Sequence, residues 1–158
     1  MTDSAGDAKR YSFKLLGYRG RSESELRERL DRKGFSEDVV SRTLKFLKQA
    51  GYLDDRALAV NLKRQFLSDR LLGYNGAKRF MRKRGLSAEV IDSTLEYDED
   101  AEVLNAKKLI GKKFGSIGKN SSVSEKRRLW NFFARRGYSV SAIKKALHEY
   151  NIIREDEE

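Results

Sequence analysis

The chain has 158 residues, 39% of them hydrophobic and 37% charged, with a formal net charge of +10 and neither cysteine nor proline. Disulfides, thiolate nucleophiles and cysteine-held metals are thereby excluded, and nothing blocks helix over long stretches rich in Leu, Lys, Arg and Glu. The positive excess favours a polyanionic partner, whether nucleic acid, an anionic membrane or an acidic protein surface.

Residues 1–8 are small and polar and read as a disordered N-terminus, without the apolar segment that directs export. No window reaches membrane-spanning length, so a cytoplasmic address is the default. A first helix is expected only as a short segment around Tyr11, Leu15 and Leu16. Ser22-x-x-Glu25 has the form of a capping box and starts a second helix. That helix carries Leu26 and Leu30 on one face and ends in Arg32-Lys33-Gly34. Phe35 and Ser36 follow, then a third helix with Val40 and Leu44. Asp54 or Asp55 opens the next, carrying Leu58, Leu62 and Phe66. A further helix runs through Ala77 and Met81 to Lys83-Arg84-Gly85, and Leu86-Ser87 leads to Ile91 and Leu95. Asp98 or Asp100 opens a helix through Val103, Ala106, Ile110 and Phe114. The segment from Gly111 to Ser124, rich in Gly, Lys and Ser, reads as the most mobile connector. Ser122-x-x-Glu125 is a second capping box, before Leu129, Phe133, Arg135-Arg136-Gly137, Tyr138-Ser139, Ile143 and Leu147. Residues 151–158 close on Glu155-Asp156-Glu157-Glu158 and read as an acidic tail.

The three glycines, 51 and 52 residues apart, align three copies of one pattern. Residues eight and four before each glycine share a helix face. The basic pair sits in the last turn, where cations meet the negative end of the helix dipole. Glycine supplies the left-handed residue that ends the helix, a bulky residue folds back, and serine caps the next helix. The fold class expected is all-α: a tandem array of three three-helix modules at 9–53, 54–97 and 98–150, elongated and open to curvature. One mixed bundle remains the alternative, since periodicity does not fix how modules dock.

No reactive constellation is apparent. His148, the single histidine, stands beside Glu149 near the end of a helix and reads as a surface residue. Asp54-Asp55 and Asp98-Glu99-Asp100 stand where helices start and serve capping better than metal binding. The run from Gly111 to Ser121 fails as a phosphate loop: Lys113 replaces the first glycine, and Asn120 replaces the Ser or Thr that holds magnesium. No catalytic residue, cofactor or metal site is assigned, and the chain reads as a non-enzyme.

The charge is uneven. From Lys107 to Arg136 there are ten Lys or Arg and a single acid, Glu125; Lys78 to Arg84 holds five basic residues and no acid. If modules stack with a constant rotation, the pairs Arg32-Lys33, Lys83-Arg84 and Arg135-Arg136 form a stripe suited to an extended anion. As helix-end charges alone they contribute a few tenths of a kcal/mol each, about 0.3 or slightly more. Tyr18, Tyr74 and Trp130 stand among these charges. For Trp130, core packing beside Phe132 and Phe133 is favoured over stacking on bases.

Arg21-Ser22-Glu23-Ser24-Glu25-Leu26, Lys33-Gly34-Phe35, Gly51-Tyr52-Leu53-Asp54-Asp55, Lys112-Lys113-Phe114 and Arg135-Arg136-Gly137-Tyr138 together resemble the RecX family of bacterial recombinase regulators. The resemblance covers residues 9–150 in order. Two positions depart from the family's pattern: Leu58 stands where Phe is common, and Gly73-Tyr74 where Gly-Pro is common, which leaves the start of that helix less rigid. The resemblance implies a cytoplasmic protein of tandem three-helix modules that binds the RecA filament on DNA along its groove; a monomer is expected. It would modulate, mostly inhibit, ATP hydrolysis, strand exchange and co-protease activity, in DNA repair and the SOS response. A stand-alone helical DNA-binding protein acting through its basic stripe is the other reading. Direct DNA contact is expected to be weak and sequence-independent, and no membrane is involved. The residues expected to meet the filament or DNA are Arg19, Arg21, Arg32, Lys33, Lys83, Arg84, Lys112, Lys113, Arg127, Arg128, Arg135 and Arg136.

Overall fold

A computed structural model describes residues 4–118, 120–150 and 152; most of the expected acidic tail lies outside them. Among the described residues the chain is all-α. The helices are α1 (Ala5–Tyr18), α2 (Glu23–Lys33), α3 (Glu37–Gln49), α4 (Asp55–Gln65), α5 (Tyr74–Lys83), α6 (Ala88–Thr94), α7 (Glu99–Lys113), α8 (Val123–Arg135) and α9 (Val140–Glu149). A π-helical turn, Phe66–Arg70, prolongs α4. The chain folds as two compact units, Met1–Leu62 with Phe80–Thr94, and Lys63–Arg79 with Leu95–Glu158, so the division runs through α4 and α5.

In the first unit α1 and α2 both pack on α3. Leu26, Leu30, Phe35, Val39, Val40, Leu44, Leu47 and Leu53 form its core with Ala8, and each large side chain buried there contributes about 2 kcal/mol. The first helix is longer than its apolar residues predict, and residues 5–8, expected to be disordered, form its first turn. The cause is local: the Ser4 hydroxyl accepts the Asp7 N–H at 3.1 Å. Ala8 is fully buried, and Ser12, also buried, donates its hydroxyl to the Ala8 carbonyl at 2.8 Å. Small residues anchor this turn, and small residues give little periodic signal.

The predicted glycine turns are present in all three copies. Gly34, Gly85 and Gly137 have φ of 91°, 75° and 81°, the left-handed region that costs a residue with a Cβ about 1 kcal/mol. The Phe35, Leu86 and Tyr138 N–H groups each reach back to a carbonyl one turn earlier, at Leu30, Met81 and Phe133. Ser87 and Ser139 then cap α6 and α9 through Val90 and Ala142, whereas Ser36 holds the cap position without a side-chain bond. Both capping boxes form, at Ser22/Glu25 and Ser122/Glu125.

In the second unit α7 and α8 pack on α9 around Val103, Ala106, Leu109, Ile110, Leu129, Phe133, Ile143 and Leu147. Residues 111–113 close α7, so the connector expected from Gly111 begins only at Phe114. Phe114 lies just past the helix with its ring 5.2 Å from Phe132. Trp130 and Phe132 pack, partly buried, against this core. Leu71, which follows the π-helical turn, is buried at φ 45°, a costly conformation for leucine. Its carbonyl accepts the Tyr138 hydroxyl at 2.6 Å, and burial raises the Tyr138 pKa so that the donor proton stays in place.

The glycines differ in what surrounds them. A Cβ on Gly34 would meet nothing within 4 Å, whereas one on Gly137 would lie 2.0 Å from the Gly76 nitrogen. Gly34→Ala is therefore expected to cost about 1 kcal/mol and Gly137→Ala more than about 3 kcal/mol. Urea unfolding of the two variants checks this, and equal losses would show that the close approach at Gly137 is not needed.

Candidate functional site

The expected site residues fall into two classes. Arg19, Arg32, Lys33, Lys83, Lys112, Lys113, Arg127, Arg128 and Arg135 are exposed, while Arg21, Arg84 and Arg136 are half-buried. Each copy's basic pair ends a helix, but its two members differ wherever another segment docks on the turn.

In the first unit Arg84 turns inward onto the N-terminus of α2. Its Nε donates to the Glu25 carboxylate at 2.8 Å and its Nη2 to the Gly20 carbonyl at 2.7 Å. Glu25 also accepts Arg19 at 2.9 Å and the Ser22 N–H at 3.1 Å. Burial alone would raise the Glu25 pKa, but the Arg84 and Arg19 guanidiniums and the Ser22 N–H outweigh it and hold the carboxyl below its ordinary value. The turn approaches closely enough that a Cβ on Gly85 would stand 2.8 Å from that of Ser24. Asp54 accepts the Ala57 N–H and Asp55 the Glu23 N–H, so the adjacent acids cap two helices.

The second unit repeats the arrangement on the N-terminus of α5. Arg136 donates to the Arg70 carbonyl and lies 5.1 Å over the Phe132 ring. Its own carbonyl accepts the Gly73 N–H at 3.1 Å, and the Gly137 carbonyl accepts the Asn75 N–H at 3.1 Å. A Cβ on Gly76 would fall 2.0 Å from the Arg136 oxygen. Beside this joint the buried Glu102 carboxylate accepts the N–H groups of Tyr74 at 2.6 Å and Ser139 at 3.2 Å, tying the starts of α5 and α9 to α7. Tyr74 therefore fixes the start of α5 with an N–H that proline lacks, and its ring lies 5.5 Å from Tyr97. Glu102 was missed in the sequence because nothing in its spacing marks a carboxylate that reaches two distant helix starts.

The outward residues differ in their electrostatic surroundings. In the first unit Arg19 pairs with Glu25 and Arg32 with Glu28, and Lys33 lies 5.8 Å over the Tyr11 ring. Arg21 bonds the Leu15 carbonyl at 3.3 Å, and its pKa is lowered by burial first and then by neighbouring Arg19. In the second unit Lys113 stands 5.6 Å over Phe132. Arg127, Arg128 and Arg135 project from α8 with no carboxylate partner among the described residues. With Val123, Ser124 and Asn131 they line one shallow groove along that helix.

A family model described as the first three-helix domain of RecX matches residues 8–47, and one for the third three-helix domain matches residues 100–147. The regulatory protein RecX of Amycolatopsis mediterranei is 33% identical over 148 residues, spanning 90% of this chain and 85% of that protein. The regulatory protein RecX of Pelodictyon phaeoclathratiforme is 32% identical over 149 residues, spanning 93% and 91%. In structure, the chain is similar to crystalline RecX from Lactobacillus salivarius, with a TM-score of 0.79 at 18% identity over 94% of this chain and 97% of that one. A second crystal structure of a regulatory protein RecX gives 0.75 at 23% identity, over 91% and 71%. These two structural likenesses show the fold alone.

The Glu25 joint makes a pH-dependent prediction. A carboxyl whose pKa is lower in the folded than in the unfolded chain stabilises above the unfolded value, about 4.3, and loses that contribution as pH falls through the folded value. Arg84→Ala is expected to cost about 2 kcal/mol near neutrality, with the gap to the unsubstituted chain narrowing as pH falls from neutrality through that unfolded value. Urea unfolding across that range measures it; a gap independent of pH would mean that Arg84 acts through packing alone.

Proposed function

The chain belongs to the RecX family of regulatory proteins, and from that premise we propose that it binds the RecA–DNA filament along its groove and mostly inhibits the recombinase. The activities affected are ATP hydrolysis, strand exchange and co-protease function, in DNA repair and the SOS response. One observation supports this most: in two copies of the turn the inward arginine secures a joint while its neighbour, Lys83 or Arg135, stays exposed. Function by contact requires outward groups on rigid supports, and the joints supply that rigidity. The contact residues on this reading are Arg19, Arg32, Lys33, Lys83, Lys112, Lys113, Arg127, Arg128 and Arg135. Arg21, Arg84 and Arg136 serve chiefly to hold the surface in shape. The functional chain is three modules close to 9–53, 54–97 and 98–150, acting as a cytoplasmic monomer without catalysis of its own. Among the described residues no helix is long and apolar enough to cross a membrane.

Titrating the chain into RecA on single-stranded DNA tests this. At low salt, substoichiometric protein is expected to lower the DNA-dependent ATPase at least about twofold, equivalent to about 0.4 kcal/mol in apparent activation free energy. An unchanged rate at equimolar protein would sink the proposal. Charge reversal at Arg32, Lys33 and Arg135 is expected to abolish the inhibition while circular dichroism keeps its helical signal. Arg136 is left intact in that variant because its reversal would strike the joint.

A further inference from the structure

We propose that the outer face of α8 is a phosphate-binding strip that contacts the backbone of a single nucleic-acid strand directly, without reading its bases. This deepens the DNA half of the proposed function, and its test separates the two.

Ser124 and Arg128 form one row along the helix; Arg127, Asn131 and Arg135 form another, residues four apart standing on the same side. Each step of four residues advances about 6 Å, comparable to the separation of successive phosphates along a strand. The three arginines are exposed and have no carboxylate partner among the described residues. Their charge is therefore uncommitted, unlike that of Arg10, Arg27 and Arg42, which pair with Asp7, Glu37 and Asp38. The acid of this helix, Glu125, is engaged with Ser122 in the capping box.

The same face argues against an acidic protein as the occupant. Guanidinium forks fit carboxylate and phosphate alike, but a protein interface draws its affinity from a central apolar or aromatic anchor. Within this groove the apolar side chain is Val123, at its N-terminal end. The aromatics of α8 lie elsewhere: Phe133 is fully buried, and Trp130 and Phe132 pack against the core. Among the described residues no aromatic side chain lines this groove, so it offers no ring on which a base could stack. Neutral donors interspersed with arginines, here Ser124 and Asn131, are the side-chain types that accompany phosphate contacts.

The test uses the full chain and a fluorescein-labelled single-stranded oligothymidylate, with anisotropy read over a salt series. Substituting Arg127→Gln, Arg128→Gln and Arg135→Gln together keeps good helix formers on a solvent face. It is expected to weaken binding about tenfold at low salt and to reduce the slope of log K against log salt by about two, or about 0.7 for each phosphate that is no longer neutralised. Arg10→Gln, Arg27→Gln and Arg42→Gln together should change affinity less than about twofold. Replacing the α8 arginines with lysine should retain most of the salt slope, which separates charge from loss of fold. Equal loss in the two glutamine triples, an unchanged slope in the α8 triple, or no binding by the unsubstituted chain would each overturn the strip. If the α8 triple keeps its DNA affinity but no longer inhibits RecA, the face meets recombinase carboxylates. That outcome defeats this inference and leaves the regulator reading standing.

Discussion

Two backbones touch at Gly76 and Gly137, and the joint there depends on the absence of side chains. The Arg136 carbonyl occupies the place where a Cβ of residue 76 would stand, and the Gly76 nitrogen sits where a Cβ of residue 137 would stand. This approach lets the Gly73 and Asn75 N–H groups, left without helical partners at the start of α5, donate to the Arg136 and Gly137 carbonyls left over at the end of α8. One helix's unsatisfied donors are met by another's unsatisfied acceptors. Bulk at either glycine would separate them and break these bonds, at about 1–3 kcal/mol for each group that stays buried without a partner.

The first unit forms the same kind of joint by different chemistry. There the N-terminus of α2 is already capped by Ser22 and Glu25, so its donors are occupied. The docking turn is held instead by Arg84 on the Glu25 carboxylate and the Gly20 carbonyl. A charged pair can span a gap that backbone bonds cannot. Accordingly, a Cβ on Gly85 would meet serine side-chain atoms at 2.8–3.0 Å, not backbone at 2.0 Å. The division of the chain into its two units follows these joints: residues 80–94 belong with α2, and residues 63–79 with α8 and α9.

The local part of this was legible in the sequence, and the long-range part was not. The glycine turns, both capping boxes and the acids opening α4 and α7 are decided within a few residues, and their spacing revealed them. The longer α1 was missed because Ala8 and Ser12 anchor it, and neither is a large apolar residue. Spacing groups Leu58 with Leu62 and Phe66 as the apolar residues of α4, yet Ala59 is fully buried there and Leu58 is only half-covered. The left-handed Leu71 has no sequence signal, because its strain is tolerated through the distant Tyr138 hydroxyl on its carbonyl. The arginines were the hardest to read. Arg135 and Arg136 are adjacent and chemically identical, and only the fold makes one an exposed cation and the other a clamp.

That separation bears on how charge can serve function in a chain so basic. A cation at a helix C-terminus gains a few tenths of a kcal/mol from the dipole, about 0.3 or slightly more, whether it points inward or outward. The sequence pattern therefore tolerates a pair, and packing assigns the roles. Arg84 and Arg136 are committed to carbonyls, a carboxylate or a ring, and bringing them to an outside partner would open the joint. Arg127, Arg128 and Arg135 carry no such commitment, so an anion can engage them without breaking an existing bond. Net charge measures how strongly a polyanion is drawn to the chain. Uncommitted charge determines where it can be held, and in the second unit the outer face of α8 concentrates it.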